Sequence, residues 1–367
     1  MTSPVSPSVD REWLVVAVVC LAVVLVALVV ALLAGRWWRR VVEARRARLV
    51  APARPWLVRL VAGGGTDPAA LERLVAVDAR TWRALEPAAV DILGKVRGEA
   101  RAAVVGLLER RGSVERAMRG VHRRSAVVRA RSAHLLGAVG GPGTSALLVR
   151  LLDDRDPEVR AVAVRALGRL ADPAAAEALV HGLRRPSALP HHLVMVALRR
   201  IGPTAVPPLL AAAAEESDVL VRARVAEALG LMGAVAAAPV LVAMLRDDRS
   251  TEVRLRAARA LGRIGAPSSV SDVIAAASDR EPVALRVTAA EALGALGARR
   301  AVPVLTDLVG DPVHWVAHTA AASLAAIRPD GVTALTGLVD RPGPAARHAR
   351  EALVTANAKT LLARAPS

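Results

Sequence analysis

The sequence predicts an all-α protein in which one transmembrane helix precedes a solenoid of stacked two-helix repeats. Three observations predict this fold class. A run of 22 residues without a charge lies near the start of the chain, and a phrase containing Ala-Leu-Gly recurs every 29–32 residues along most of the remainder. Phe and Tyr are absent and only six Trp residues are present. The core must therefore be built from Ala, Val and Leu. These residues suit closely packed helices better than they suit a β-sandwich or barrel, whose strands are usually enriched in aromatic and β-branched residues.

The uncharged run extends from Trp13 to Ala34. At 1.5 Å per residue it would form a helix of about 33 Å, long enough to cross a hydrocarbon core of about 30 Å. A cleaved signal peptide would begin with a basic region and carry a shorter apolar stretch. The leader here, residues 1–12, has one Arg against two acidic residues. We therefore predict a transmembrane helix at 13–35 that is not removed.

Arginines follow the apolar run, and this asymmetry predicts the topology. Because positive residues are retained on the cytoplasmic side, we expect residues 1–12 outside and the remainder of the chain in the cytoplasm, at the plasma (inner) membrane. Each basic residue next to the bilayer also contributes about 1 kcal/mol of attraction to anionic lipid headgroups. These arginines could therefore set the topology, bind lipid or do both. The residues predicted to contact the membrane are Trp13, Arg36, Trp37, Trp38, Arg39, Arg40, Arg45 and Arg46.

The segment after the predicted membrane helix is typical of a connector. Pro52, Pro55 and three glycines at 63–65 favour a spacer, so residues 36–65 are predicted as a basic juxtamembrane segment and linker. Residues 66–94 have a helical but weakly repeating pattern and are predicted to cap the array. The single cysteine, Cys20, excludes an intramolecular disulfide and argues against a cysteine-based zinc site or a catalytic thiol.

The leucine of the Ala-Leu-Gly phrase marks the register of the repeat. A Val-Arg pair precedes four of these eight leucines by eight residues, and Leu285-Arg286 is a close variant before a fifth. A second, shorter apolar pattern such as that of residues 173–183 predicts another helix in each unit. Neither helix can bury its apolar face alone, so the units must stack. The array is predicted over 95–357, followed by a tail at 358–367. The marker leucines are Leu136, Leu167, Leu198, Leu229, Leu261, Leu293, Leu324 and Leu353.

The phrase from Asp154 to Leu170, D-x-x-P-E-V-R-x-x-A-x-x-A-L-G-x-L, resembles the HEAT repeat, specifically the short bacterial type also seen in phycobilisome-lyase-like proteins. The resemblance implies a right-handed α-solenoid of about eight or nine HEAT-type repeats. It also implies a ladder in which an acid joins the Arg six residues later. The pattern departs at 190–192, 316–317 and 345–346, where we expect looser or bent stacking. The predicted ladder residues are Asp154, Arg160, Glu216, Arg222, Asp248 and Arg254.

Charged residues recur on one face of the Val-Arg helices, three, six and ten residues after the Val. The resemblance implies that these helices line a concave surface, where a charged stripe would suit an acidic or mixed-charge segment of a partner. The alternative is a solvated helix face with local ion pairs, and the sequence is compatible with both. The predicted partner-binding residues are Arg165, Arg169, Arg224, Glu227, Arg256, Arg259, Arg263 and Glu291.

Sequence motifs for metal binding, catalysis and nucleic-acid binding are weak or absent. His314 and His318 stand four residues apart on a predicted helix without an evident third ligand, and the adjacent His191 and His192 point in different directions, so no metal site is predicted. The chain has no G-x-S-x-G motif and no Walker loop. We predict that it is not an enzyme and binds no cofactor or small molecule. Single-strand binding usually adds aromatic stacking platforms, which are nearly absent, so no nucleic acid is expected.

These observations predict a membrane-anchored HEAT-repeat scaffold or adaptor that binds a protein partner at the cytoplasmic face of the membrane. The sequence does not identify the partner. The alternative is a regulatory or accessory subunit of a membrane-associated enzyme. Narrower alternatives are a lyase-like or a nucleic-acid-binding HEAT protein.

Overall fold

The computed structural model of the protein describes residues 11–184 and 189–364. Every regular element in these two stretches is helical, as the sequence predicts. The chain divides into two compact units, Met1–Ser113 and Val114–Ser367. The boundary lies later than the start of the array predicted at residue 95. The described helices of the first unit are α1 (Arg11–Val50), α2 (Arg54–Ala62), α3 (Pro68–Ala76), α4 (Ala79–Leu93) and α5 (Gly98–Arg110).

Trp82 on α4 is the largest buried side chain of the first unit, at 2% exposure. Its indole Nε1 donates a hydrogen bond to Ser113 Oγ at 3.2 Å. The guanidinium of Arg111 lies over the Trp82 ring, 5.0 Å from the centroid, and its Nη1 donates to the carbonyl of Val75 at 2.6 Å. A buried indole needs a partner for its N–H, and these contacts provide one while fixing the end of α5 against α3 and α4.

The predicted linker contains a packed helix, which corrects the sequence prediction. Helix α1 runs without a break to Val50, and α2 occupies most of the remaining segment. Leu57 and Leu60, three residues apart, are 1% and 0% exposed. Pro55 stands in the first turn of α2, where its missing N–H removes no helical hydrogen bond. The proline that suggested a spacer therefore starts a helix whose leucines are buried.

The second unit is a two-layer array of helices. Helix α6 begins at Ser113, and from α7 onward longer helices alternate with shorter ones, the long helices carrying the Ala-Leu-Gly phrase or its variants. In chain order the helices are α6 (Ser113–Gly120), α7 (Ala126–Val139), α8 (Thr144–Arg150), α9 (Pro157–Leu170), α10 (Ala176–Leu183), α11 (His191–Ile201), α12 (Val206–Glu215), α13 (Val219–Leu231), α14 (Ala238–Asp247), α15 (Thr251–Ile264), α16 (Val270–Ala275), α17 (Val283–Leu296), α18 (Val302–Leu308), α19 (His314–Ala326), α20 (Asp330–Val339) and α21 (Pro344–Arg364).

Stacking follows the repeat. Each odd-numbered helix from α7 to α19 contacts the next odd-numbered helix, and these long helices form one layer. The short helices form the other layer, in which α10 contacts α12 and α12 contacts α14. Each unit thus buries its apolar face against its neighbours, as stacked repeats must. The predicted all-α solenoid of two-helix repeats is confirmed.

The glycine of the Ala-Leu-Gly phrase lies where consecutive long helices approach closely. A Cβ added to Gly137 would lie 2.3 Å from the Cβ of Ala166, and one added to Gly262 would lie 2.8 Å from the Cα of Ala292. In each case the neighbour is the alanine of the phrase in the next repeat. Small residues at these positions let the backbones come together. Similar close approaches occur at Gly168, Gly230 and Gly294.

Ion pairs that are buried or partly buried connect successive repeats along the array. Each pair joins an Arg near the start of a long helix to an acid 25–27 residues later, which belongs to the next repeat. Arg129 also donates to the carbonyls of Arg123 and Arg124, at 2.9 and 2.7 Å. The pairs are Arg129–Asp154 at 2.6 Å, Arg222–Asp248 at 2.7 Å, Arg254–Glu281 at 2.7 Å and Arg286–Asp311 at 3.0 Å.

The predicted ladder residues take part in these contacts. Their partners lie partly in the same repeat and partly in a neighbouring repeat. Arg160 Nη1 donates to the backbone carbonyl of Asp154 at 2.8 Å, whereas the Asp154 carboxylate binds Arg129 of the preceding repeat. Glu216 likewise pairs with Arg184 at 2.9 Å. At Asp154–Arg160 and Glu216–Arg222 the spacing of six residues gives a side-chain-to-backbone contact, whereas Arg254 donates to the carbonyl of Leu245. The ion pairs of these residues cross between repeats. The hydrogen bond from Arg129 lowers the pKa of Asp154, so this carboxyl stays ionised.

Candidate functional surfaces

The apolar part of α1 is exposed. Nine large apolar side chains between Val19 and Leu33 are 45–70% exposed, as is Trp37 at 64%. Cys20, Arg36 and Arg45 are also exposed. An apolar surface of this length on a single helix is uncommon in water. The side chains of the other predicted membrane-contacting residues, Trp13, Trp38, Arg39, Arg40 and Arg46, lie outside the described residues.

By length and composition, one stretch of the described chain could cross a membrane, His191–Glu215, with a mean hydropathy of 1.3. It comprises α11 and α12, and 39% of its apolar window is buried. The chain turns between these helices at Gly202, whose φ is +82°, and α11 contacts α9 and α13 in the array. Its apolar residues are therefore explained by packing between repeats. Val19–Val30 and Asp330–Val339 are shorter apolar helical stretches.

The predicted partner-binding residues share one face of the long helices. This surface, here called the long-helix face, consists of the positions nine, five and two residues before the marker leucine and two residues after it, from α7 to α17. Helical spacing puts these positions on one side. Arginines outnumber glutamates on it by eight to four. They are Arg131, Arg165, Arg169, Arg200, Arg224, Arg256, Arg259 and Arg263, against Glu158, Glu227, Glu252 and Glu291.

Part of the long-helix face is paired within the protein. Arg256 on α15 binds Glu227 on α13 at 2.9 Å and Glu252 on its own helix at 2.7 Å. Arg224 is half-buried and donates to the carbonyl of Leu183 at 3.3 Å. These three predicted residues, Arg224, Glu227 and Arg256, therefore hold neighbouring helices together.

Two further predicted arginines have partners on the face itself. Arg165 binds Glu158 at 2.9 Å, and this pair is exposed, with 44% and 72% of the two side chains accessible. Arg169 Nη1 lies 3.1 Å from Nδ1 of His134 on α7. Exposed contacts of this kind contribute little stability, so both arginines can exchange these partners for others.

Three of the predicted residues are exposed without an ion pair to any described residue: Arg259, Arg263 and Glu291. Beside them lie exposed apolar residues that the charge pattern of the sequence did not indicate. Val196 on α11 is 46% exposed, and Leu220 and Leu231 on α13 are 45% and 36% exposed. They occupy the same register positions as the charges, so the repeat register could have located them. The centre of the long-helix face is thus basic and partly apolar.

An open groove of about 690 Å³ lies between α10 and α12 in the layer of short helices. Glu177, His181, Arg184 and Glu215 provide its ionisable groups, and prolines and alanines provide its walls. Its described lining includes no Ser, Thr or Cys. The groove therefore offers carboxylates and an imidazole, but no hydroxyl or thiol from its described lining.

The helical array with its repeating ion pairs defines an α-solenoid protein. The family of HEAT repeats matches residues 114–190, 188–254, 239–325 and 284–354. The chain therefore belongs to the HEAT-repeat family, as the resemblance in the sequence indicated. No curated protein matches it.

The chain is similar to several solved structures at low sequence identity. A mutant of Kap121p is 13% identical, covers 81% of this chain and has a TM-score of 0.55, and the chain spans 41% of its length. The complex of CpcE and CpcF of phycocyanin lyase from Nostoc sp. PCC7120 is 21% identical, with 61% and 92% of the two chains covered and a TM-score of 0.30. An engineered protein is 20% identical, with 82% and 99% covered and a TM-score of 0.38. At 13% identity the likeness to Kap121p concerns the fold alone.

Proposed function

We propose that the protein is a membrane-anchored HEAT-repeat adaptor that holds a protein partner at the cytoplasmic face of the membrane. The observation that carries the proposal is the exposed apolar stretch of α1, which continues into a basic helix end at Arg36–Arg48. Burying nine large apolar side chains in lipid is strongly favourable, at about 1.5–3 kcal/mol each. The arginines that follow would remain at the inner leaflet.

The partner would bind the long-helix face. Arg259 and Arg263 are exposed and unpaired among the described residues, and they lie on the face that carries the apolar residues Val196 and Leu231. A surface of this chemistry fits an acidic segment that also carries apolar side chains, because the apolar residues exclude water while the charges select the partner. Membrane anchoring would raise the local concentration of both proteins.

An accessory subunit of a membrane-associated enzyme would use the same surface, with the enzyme as the partner. The groove between α10 and α12 carries ionisable side chains, but its described lining contains no Ser, Thr or Cys. We place the adaptor first because the exposed surfaces of α1 and of the long-helix face support anchoring and binding directly. Identification of a cross-linked partner distinguishes the two functions, because an enzyme would be recovered in one case and a non-enzymatic protein in the other.

The anchor and its direction are tested with single cysteines in a Cys20→Ala background. We expect Ser6→Cys to react with a membrane-impermeant maleimide in intact cells, and Ser217→Cys to react only after the membrane is permeabilised. The reason is that the arginines after the apolar run keep the array in the cytoplasm. The Cys20→Ala parent measures background labelling. The opposite labelling pattern, or release of the protein by alkaline carbonate, would contradict the proposed anchor.

Charge reversal tests the long-helix face. We expect Arg259→Glu with Arg263→Glu to reduce the recovery of the cross-linked partner by about tenfold or more, because an acidic segment would then face two like charges. Recovery is measured by quantitative mass spectrometry after cross-linking in membranes.

The matched control is Arg249→Glu with Arg280→Glu, which makes the same change in net charge at two exposed loop positions off the long-helix face. Both double variants leave Arg224 and Arg256 unchanged, because replacing either of them would also disturb contacts within the array. Equal recovery with the two double variants would exclude the long-helix face as the binding surface.

A further inference from the structure

Helices α19 and α21 bring three metal-ligating side chains together near the C-terminal end of the array. His318 lies on α19, and His348 and Glu351 lie one turn apart on α21. One ligand atom from each residue falls within 4.8 Å of the other two. The Nδ1 atom of His318 is 3.7 Å from Oε2 of Glu351. The sequence alone showed His314 and His318 without a third ligand, and the packing of α21 supplies two.

One member of this cluster, His348, is buried and has an unsatisfied polar atom. Its side chain is 4% exposed, and its Nδ1 is buried with no hydrogen-bond partner. Burial lowers the pKa of His348, which favours the neutral ring. A neutral imidazole nitrogen without a partner is costly to bury. It is also the form of histidine that binds metal ions.

We propose that His318, His348 and Glu351 bind a divalent transition-metal ion of the zinc type. Two imidazoles and one carboxylate are a ligand set that such ions accept. Bonds of about 2.0–2.1 Å in a tetrahedron put ligand atoms about 3.4 Å apart, close to the 3.7 Å between His318 and Glu351. The side chains of His318 and Glu351 are 38% and 54% exposed, so they can close on an ion while buried His348 stays in place.

The metal ion would connect two repeats at the point where the series of Arg–acid ion pairs between repeats ends, after Arg286–Asp311. Ala317 stands on α19 at the position that Arg286 holds one repeat earlier, so α19 has no arginine to reach α21. The proposed ion joins the same two helices through side chains. The ring of His314 lies 4.9 Å from that of His348 and stacks on that of His318 at 6.0 Å, and it would orient the ligands. Water would supply the fourth ligand.

The test uses the full chain, purified in mild detergent with a tag that contains no histidine. Zn²⁺ binding is measured by titration calorimetry after removal of bound metal, and Co²⁺ binding by its visible absorption. We expect one ion per chain. His318→Ala and Glu351→Gln should each weaken binding by more than tenfold, because loss of even an outer-shell partner typically costs about 10–100-fold. Zn²⁺ should also raise the melting temperature of the wild type.

The matched control is His192→Ala, which removes a histidine of the adjacent pair on α11 and should leave Zn²⁺ affinity unchanged. His318→Ala and Glu351→Gln alter accessible side chains, so both variants should fold, which circular dichroism checks. If the wild type bound no more metal than the double variant His318→Ala with Glu351→Gln, the proposal would be wrong. A Zn²⁺-dependent rise in melting temperature that survived in Glu351→Gln would also contradict it.

Discussion

Asp311→Ala is expected to lower the free energy of unfolding of the repeat array by about 3–5 kcal/mol, because it leaves the buried guanidinium of Arg286 without its counterion. The two side chains are 6% and 9% exposed and lie 3.0 Å apart. Asp311 Oδ1 also accepts from the backbone N–H of Val313 at 2.8 Å. Asp311→Asn keeps an acceptor for that N–H and should cost less. Urea unfolding followed by circular dichroism measures both variants.

The control for this prediction is Glu158→Ala, which breaks the exposed pair with Arg165. Exposed pairs contribute about 0–1 kcal/mol, so the unfolding midpoint should barely change. Replacing both Arg286 and Asp311 by Leu should recover part of the loss, since no buried charge then remains. Equal destabilisation by Asp311→Ala and Glu158→Ala would show that the buried pairs do not hold the repeats together.

Gly262→Ala is expected to destabilise the array by about 1–3 kcal/mol, the usual cost of overpacking a tight interface. The new Cβ would lie 2.8 Å from the Cα of Ala292 on the next long helix. The obstructing atom belongs to the backbone, so no side-chain rotation can relieve the contact. The shift in urea midpoint at unchanged slope measures the loss.

Gly337→Ala on α20 is the matched control, because nothing lies within 4 Å of an added Cβ there. With no clash, alanine should leave stability unchanged or raise it by up to about 1 kcal/mol through its higher helix propensity. If both variants were stabilised alike, the phrase glycines would not be needed for close stacking. The two variants differ by the same single methyl group, so the comparison isolates the contact between repeats.

Much of the fold could be predicted from local pattern. Amphipathic spacing and the recurrence of Ala-Leu-Gly located the long helices, because each helix reports its buried face in its own sequence. The prediction was wrong at 54–62, where prolines and glycines suggested a linker and the structure has α2. Two leucines are too short a pattern to distinguish a packed helix from a spacer, and their burial depends on neighbours elsewhere in the chain.

The candidate sites could be predicted less well. The register placed the charged residues on one face, but it could not show that Arg256 pairs with Glu227 while Arg259 remains exposed. Those outcomes depend on the offset between α13 and α15 when the repeats stack. The anchor, its direction and the binding of a partner stay predictions for the experiments above.

What the sequence by itself determined about this protein is the class of fold, the period of the repeat and the apolar segment before it. Each of these follows from residues close together in the chain. Only the tertiary structure decided which residues meet across repeats. Asp154 pairs with Arg129 of the previous repeat, and His318 meets His348 and Glu351 from the next long helix. Spacing along one helix shows which side chains share a face, but the packing of a second helix decides what that face contacts.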